Sequence, residues 1–207
     1  KMIADRKLAD ASKSAPNQMV AICFDRHLYY PLLHVEDPKG VPLKLRPVAF
    51  DAESEVRFVK DLEAFYNSAK GQEVLNGRSL YLLRNADSKG RGLGFATAGN
   101  FYPDFLLWLI DEETGQQWLN FVDPKGIRNL DLSHPKLQLY REVKKIEAEL
   151  KDPKLRLNAF ILSGTSFEDL LNVRGKVSRQ DLEDRNVLFM TDDKDRYLEK
   201  LTQKATQ

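Results

Sequence analysis

The chain has 207 residues, 42% hydrophobic and 30% charged, with a formal net charge of +1. That is enough to bury a core without disulfide staples, and it excludes a protein held to nucleic acid by its overall charge; any such partner needs a local patch. The lone cysteine, Cys23, excludes an internal disulfide or a cysteine-based zinc cluster and suits a reducing cytoplasm, where it reads as a small buried hydrophobe. No apolar run approaches ~20 residues, so no membrane span is expected. The polar opening (Lys1 to Arg6) is not a secretory signal, and a chain beginning on lysine looks like part of a longer polypeptide.

In chain order, residues 1–18 read as a polar lead-in. The apolar runs 19–24 and 28–33 and the alternating stretch 41–48 read as a small β-rich unit, broken by the turn Asp37-Pro38-Lys39-Gly40. From Asp51, a plausible N-cap, the apolar period turns helical through Phe58, Leu62 and Phe65, and Gly71 is expected to end that helix. A strand is predicted at 79–83, then a glycine-rich loop at 85–100. A strand at 101–110, a turn at 111–117 containing Gly115 and a strand at 118–123 form a hairpin. A helix at about 135–150, a strand at 158–163, a capping box from Thr165 to Glu168, a strand at 187–190 and a C-terminal helix complete the pattern. Residues 1–50 are set apart as an N-terminal extension, and 51–207 as the main domain with its core at about 51–165. Its order, α-β-β-β-α-β, implies a layered α/β fold.

Asp104 is a lone charge in an apolar run, where an unpaired carboxylate would cost several kcal/mol. Asp123 closes the partner strand of the hairpin, so the two acids should meet at one edge. Lys125, two residues on, shares the face of Asp123. Pro124 between them keeps a carbonyl that can ligate a cation, and marks the end of a ladder. On the preceding helix, Glu55 lies within about 40° of the line through Val59, Leu62 and Tyr66, while Glu53 points away. Acids converging beside a lysine suit a hard cation that activates water against a phosphodiester. The plain alternative is a salt-bridged set without chemistry. Asp-Pro-Lys also stands at 37–39 and 152–154, where it reads as a turn and a helix stop.

These residues resemble the PD-(D/E)xK nuclease superfamily: Pro103-Asp104, Asp123-Pro124-Lys125 and the helix acid Glu55. The segments 100–108 and 121–126 look like the C-terminal nuclease region of the restriction subunit of type III restriction enzymes and related helicase–nuclease defence proteins. The resemblance covers roughly 45–165. It implies a restriction-endonuclease-like three-layer α/β/α fold with a central mixed sheet, and a Mg²⁺-dependent endonuclease for DNA, with Mn²⁺ substituting. Asp104, Asp123, the Pro124 carbonyl and Glu55 would hold metal, and Lys125 would assist hydrolysis. It also implies an ATP-driven helicase or translocase in the same polypeptide, and other subunits of a defence complex. The cluster Gly90 to Gly94 lacks the Gly-Lys-Ser/Thr ending of an ATP site. Lys89 and Arg91 in that loop, with Gln138 and Lys144 on the later helix, are candidate DNA contacts. The rival reading is a nuclease-like module for DNA or protein binding with a dormant site; a third is an RNA-directed nuclease. Three scattered histidines (His27, His34, His134) show no zinc spacing.

Overall fold

The computed structural model describes residues 19–22, 32–35, 52–85, 102–129, 131, 133–172, 175–194 and 196–207. Strands β1 (Met19–Ile22) and β2 (Leu32–Val35) pair antiparallel, Met19 opposite Val35, within the region expected to be β-rich. Cys23, the turn at 37–40, the stretch 41–48, Asp51, Lys89 and Arg91 lie outside the described residues.

Helix α1 (Glu53–Tyr66) buries Glu55, Phe58, Val59, Leu62 and Phe65 and exposes Glu53, as its periodicity requires. Its end is not at Gly71. Asn67 terminates α1, and Ser68 opens a second helix, α2 (Ala69–Leu75), by accepting a hydrogen bond from the Gly71 amide at 2.9 Å. Gly71 serves close approach instead: a Cβ there would lie 1.8 Å from the Phe65 carbonyl oxygen.

The central sheet runs β3 (Ser79–Arg84), β4 (Phe105–Ile110), β5 (Gln117–Lys125), β6 (Leu155–Ser163) and β7 (Val187–Phe189) in spatial order. The first three strands are antiparallel neighbours; β6 lies parallel to β5, and β7 parallel to β6. The β4–β5 turn is held by the Asp111 carboxylate, which accepts from the amides of Glu113 and Thr114, and by Gly115 at φ 70°. β4 begins at Phe105, later than the run from Phe101 suggests, which leaves Asp104 just ahead of the strand.

A parallel neighbour needs a crossover, and α3 (Leu139–Leu150) supplies it. The single helix expected at about 135–150 instead opens as a tight 3₁₀ turn, Pro135–Gln138, at the N-terminal end where such turns are frequent. After β6, the capping box expected at Thr165 does not form. Thr165 and Ser163 bond each other locally, and only a short 3₁₀ turn, Phe167–Asp169, follows. A complete capping box stands at Ser178 and Asp181, opening α4 (Arg179–Glu183). Helices α5 (Met190–Asp193) and α6 (Arg196–Ala205) close the chain.

Helices cover both faces of the mixed sheet. On one, Phe58 and Leu62 of α1, Leu75 of α2 and Tyr197 and Leu201 of α6 pack on Leu107, Leu109 and Val122. On the other, Leu139 and Val143 of α3 pack on Leu106, Phe121 and Ala159. The architecture is therefore α/β, with an open five-stranded mixed sheet and the expected order α-β-β-β-α-β, plus the inserted α2. No helix among the described residues is long and apolar enough to cross a membrane.

Candidate active site

The β4–β5 ladder pairs Phe105 with Val122, so one step further Asp104 comes opposite Asp123. Both side chains fall on the sheet face covered by α3, following the alternation of Leu106 and Phe121. Asp123 is 3% exposed. Beyond Val122, β5 is paired with β6 alone, so Pro124 withdraws no N–H from the β4 ladder. The Pro124 carbonyl accepts a hydrogen bond from Ser54 Oγ at 3.0 Å, which ties the start of α1 to the end of β5.

The two carboxyls are close enough to share a hydrogen bond. Burial first, then the charge and hydrogen bond of Asp123 and the charge of Glu55, push the Asp104 carboxyl up to about 8, against the opposing pull of Arg84. At neutral pH the metal-free pair therefore retains a proton.

Arg84, the last residue of β3, joins the helix acid to the pair. Its Nη2 lies 3.0 Å from Glu55 Oε2, and its Nη1 3.5 Å from Asp104 Oδ1. The guanidinium also lies over the Phe105 ring, 5.0 Å from the centroid. Glu55, 5% exposed, thus reaches the acids through Arg84.

The second cation is Lys136, whose Nζ stands 3.1 Å from Asp123 Oδ2 with the side chain only 17% exposed. Burial pulls its ammonium below the usual lysine range; Asp123 opposes this, and neighbouring Lys125 adds to it. Lys125 itself is exposed at the end of β5. His134 is lowered by burial and then by Lys136 and Lys125, so three basic groups gather beside the pair.

The fold thus brings together Asp104, Asp123, Lys125 and, through Arg84, Glu55. Gln138 lies half-buried in the 3₁₀ turn that carries Lys136. Lys144 is not brought there: it pairs with Glu147 at 3.0 Å and lines a depression with Arg156, whose strand partner is Trp118 at the opposite end of β5. Arg84 and Lys136 as counter-charges are not foreseen in the sequence. Both lie far along the chain from the acids they meet, and the only signal is a basic residue beside buried strand or helix positions.

Among the described residues no group of three or more His, Cys, Asp or Glu side chains is arranged to hold a metal ion. The apposed Asp104 and Asp123 nonetheless fit a hard cation that binds few carboxylates and keeps several waters, because a cation offsets the burial and the repulsion that otherwise hold a proton on Asp104. Compared with protein-family models, with curated proteins and with solved structures, the chain finds no match.

Proposed function

We propose that this domain is a Mg²⁺-dependent endonuclease that hydrolyses phosphodiester bonds in DNA, in the manner of the restriction-endonuclease-like PD-(D/E)xK fold. The observation that carries the reading is the apposition of Asp104 and Asp123 at the mouth of the hairpin, with Lys125 at the adjoining strand end. Asp104 and Asp123 are the residues to hold the cation, with the Pro124 carbonyl, which accepts from Ser54, as a further oxygen. Bound there, Mg²⁺, or Mn²⁺ in its place, neutralises charge on the phosphoryl group and lowers the pKa of water. Lys125, exposed at the strand end, orients the attacking water and balances developing negative charge. Arg84 holds Glu55 and Asp104 in place without itself entering solvent, its side chain being 11% exposed. In the full polypeptide an ATP-driven helicase would deliver the DNA, in a cytoplasmic defence complex.

The test is relaxation of supercoiled plasmid by this chain with Mg²⁺ or Mn²⁺, beside Lys125→Ala. Nicking by the parent and not by the variant supports the reading. Nicking that persists in Lys125→Ala sinks the assigned role of the lysine.

A second reading has one observation in its favour. Arg84 and Lys136 already compensate the acids, as they would in a dormant module that binds DNA or protein. Duplex binding without metal that survives Asp123→Asn, together with an inert parent, would favour it. Cleavage of single-stranded RNA but not plasmid would favour an RNA-directed enzyme.

A further inference from the structure

Of the two lysines at the acid pair, Lys125 belongs to the strand that carries Asp123, and Lys136 arrives from across the loop. The placement of Lys136 is built rather than incidental. Its backbone amide donates to His134 Nδ1 at 3.2 Å, and its neighbour Leu137 is 2% exposed in the cluster with Ile127 and Ile161. Its ammonium is thereby delivered to Oδ2 of Asp123 at 3.1 Å, in a site where little water screens the pair. The charge of neighbouring Lys125 opposes it.

A carboxylate oxygen that faces an ammonium at this distance cannot also ligate a divalent cation without bringing two positive centres together. The two therefore compete for Asp123. A buried ammonium leaves only for another anion, because withdrawing it unpaired into a half-dry site is costly. The nearest anion that the proposed reaction supplies is the phosphodiester itself, and a lysine is a compact point-charge ligand for phosphate.

We propose that Lys136 is a resident counter-cation of this site, which occupies Asp123 until a divalent cation displaces it and then moves onto a phosphate oxygen of the substrate. Cation and phosphodiester therefore load together, and the cation binds weakly alone. The inference rests on the reading of the acid pair as a metal site, and it assigns Lys136 a positioning role in the loading step.

The experiment is Mn²⁺ titration of the whole chain, without nucleic acid, by calorimetry and by the Mn²⁺ electron paramagnetic resonance signal. The proteins are the parent, Lys136→Met, Lys136→Arg and Asp123→Asn. Lys136→Met should bind Mn²⁺ about tenfold more tightly than the parent, the scale expected from removing one competing charge. Lys136→Arg should match the parent, and Asp123→Asn should not bind. In Ca²⁺, duplex DNA should tighten cation binding by the parent more than by Lys136→Met. A merely structural lysine would weaken binding when removed. Should Lys136→Met fail to fold, Lys136→Gln makes the same comparison. Equal Mn²⁺ affinity in parent and variant, with Asp123→Asn inactive in binding, overturns the role of Lys136 and leaves the metal site standing. No Mn²⁺ binding by either overturns both.

Discussion

Asp104 and Asp123 stand opposite each other across the open end of the β4–β5 hairpin, close enough for one carboxyl to donate a hydrogen bond to the other. Neither acid would choose this on electrostatic grounds. The hairpin register imposes it, since every pair from Phe105–Val122 to Ile110–Gln117 must stay in step for the sheet to keep its buried faces.

The raised Asp104 carboxyl makes stability depend on pH in the metal-free protein. With its folded value near 8 and its ordinary value at 3.8, the native state holds more protons than the unfolded state between those limits. Stability is then fully present below the unfolded value and is lost as pH rises through about 8. Thermal melting without divalent cations should fall between pH 6 and about 9, and Asp104→Asn should flatten the slope. A parent whose melting temperature rises over that range refutes this.

Arg84 faces buried Glu55 at 3.0 Å, so removing it takes a counter-charge from a carboxylate in the core. Arg84→Met should cost about 3 kcal/mol in urea unfolding, and the double variant Arg84→Met with Glu55→Gln should recover most of it. Additive losses would show that the two residues act independently.

Asn158 donates both to Asn120 Oδ1 at 3.2 Å and to the Ala205 carbonyl at 2.9 Å, pinning the end of α6 to the sheet. Asn158→Leu leaves both acceptors buried without that donor. The expected cost is about 1–3 kcal/mol, with faster amide exchange confined to α6. Unchanged exchange there would mean that apolar packing alone holds the helix.

Gly71→Ala should be among the most damaging single-methyl additions among the described residues, because the new carbon would overlap the Phe65 carbonyl at 1.8 Å. A loss of about 3 kcal/mol is expected from separating α2 from the end of α1. A neutral outcome in chemical denaturation would show that the α1–α2 joint yields freely.

The order of elements, the hairpin and the meeting of Asp104 with Asp123 were legible because each depends on local alternation and a short turn. The burial of Glu55 was legible for the same reason, through helical period. What escaped depends on partners that the local pattern does not name, some near in sequence and some distant. Gly71 resembles a helix stop until the Phe65 carbonyl is seen beside it. Thr165 and Glu168 fit a capping box, but Ser163 takes the Thr165 amide first. Arg84 and Lys136 become counter-charges only when β3 and the turn at 135–138 are laid against the acid pair.

The apolar layer beneath the site joins the earliest helix of the central domain to its last one: Tyr197, Leu198 and Leu201 lie against Phe58, Val59 and Leu62, and Tyr197 Oη donates to Asp61 at 2.9 Å. On the ribosome, the part of the α1 stripe that α6 covers must therefore wait while the sheet is synthesised. The order of translation makes this layer the last to be completed, and any pause between α1 and α6 lengthens the time in which a chaperone has something to hold.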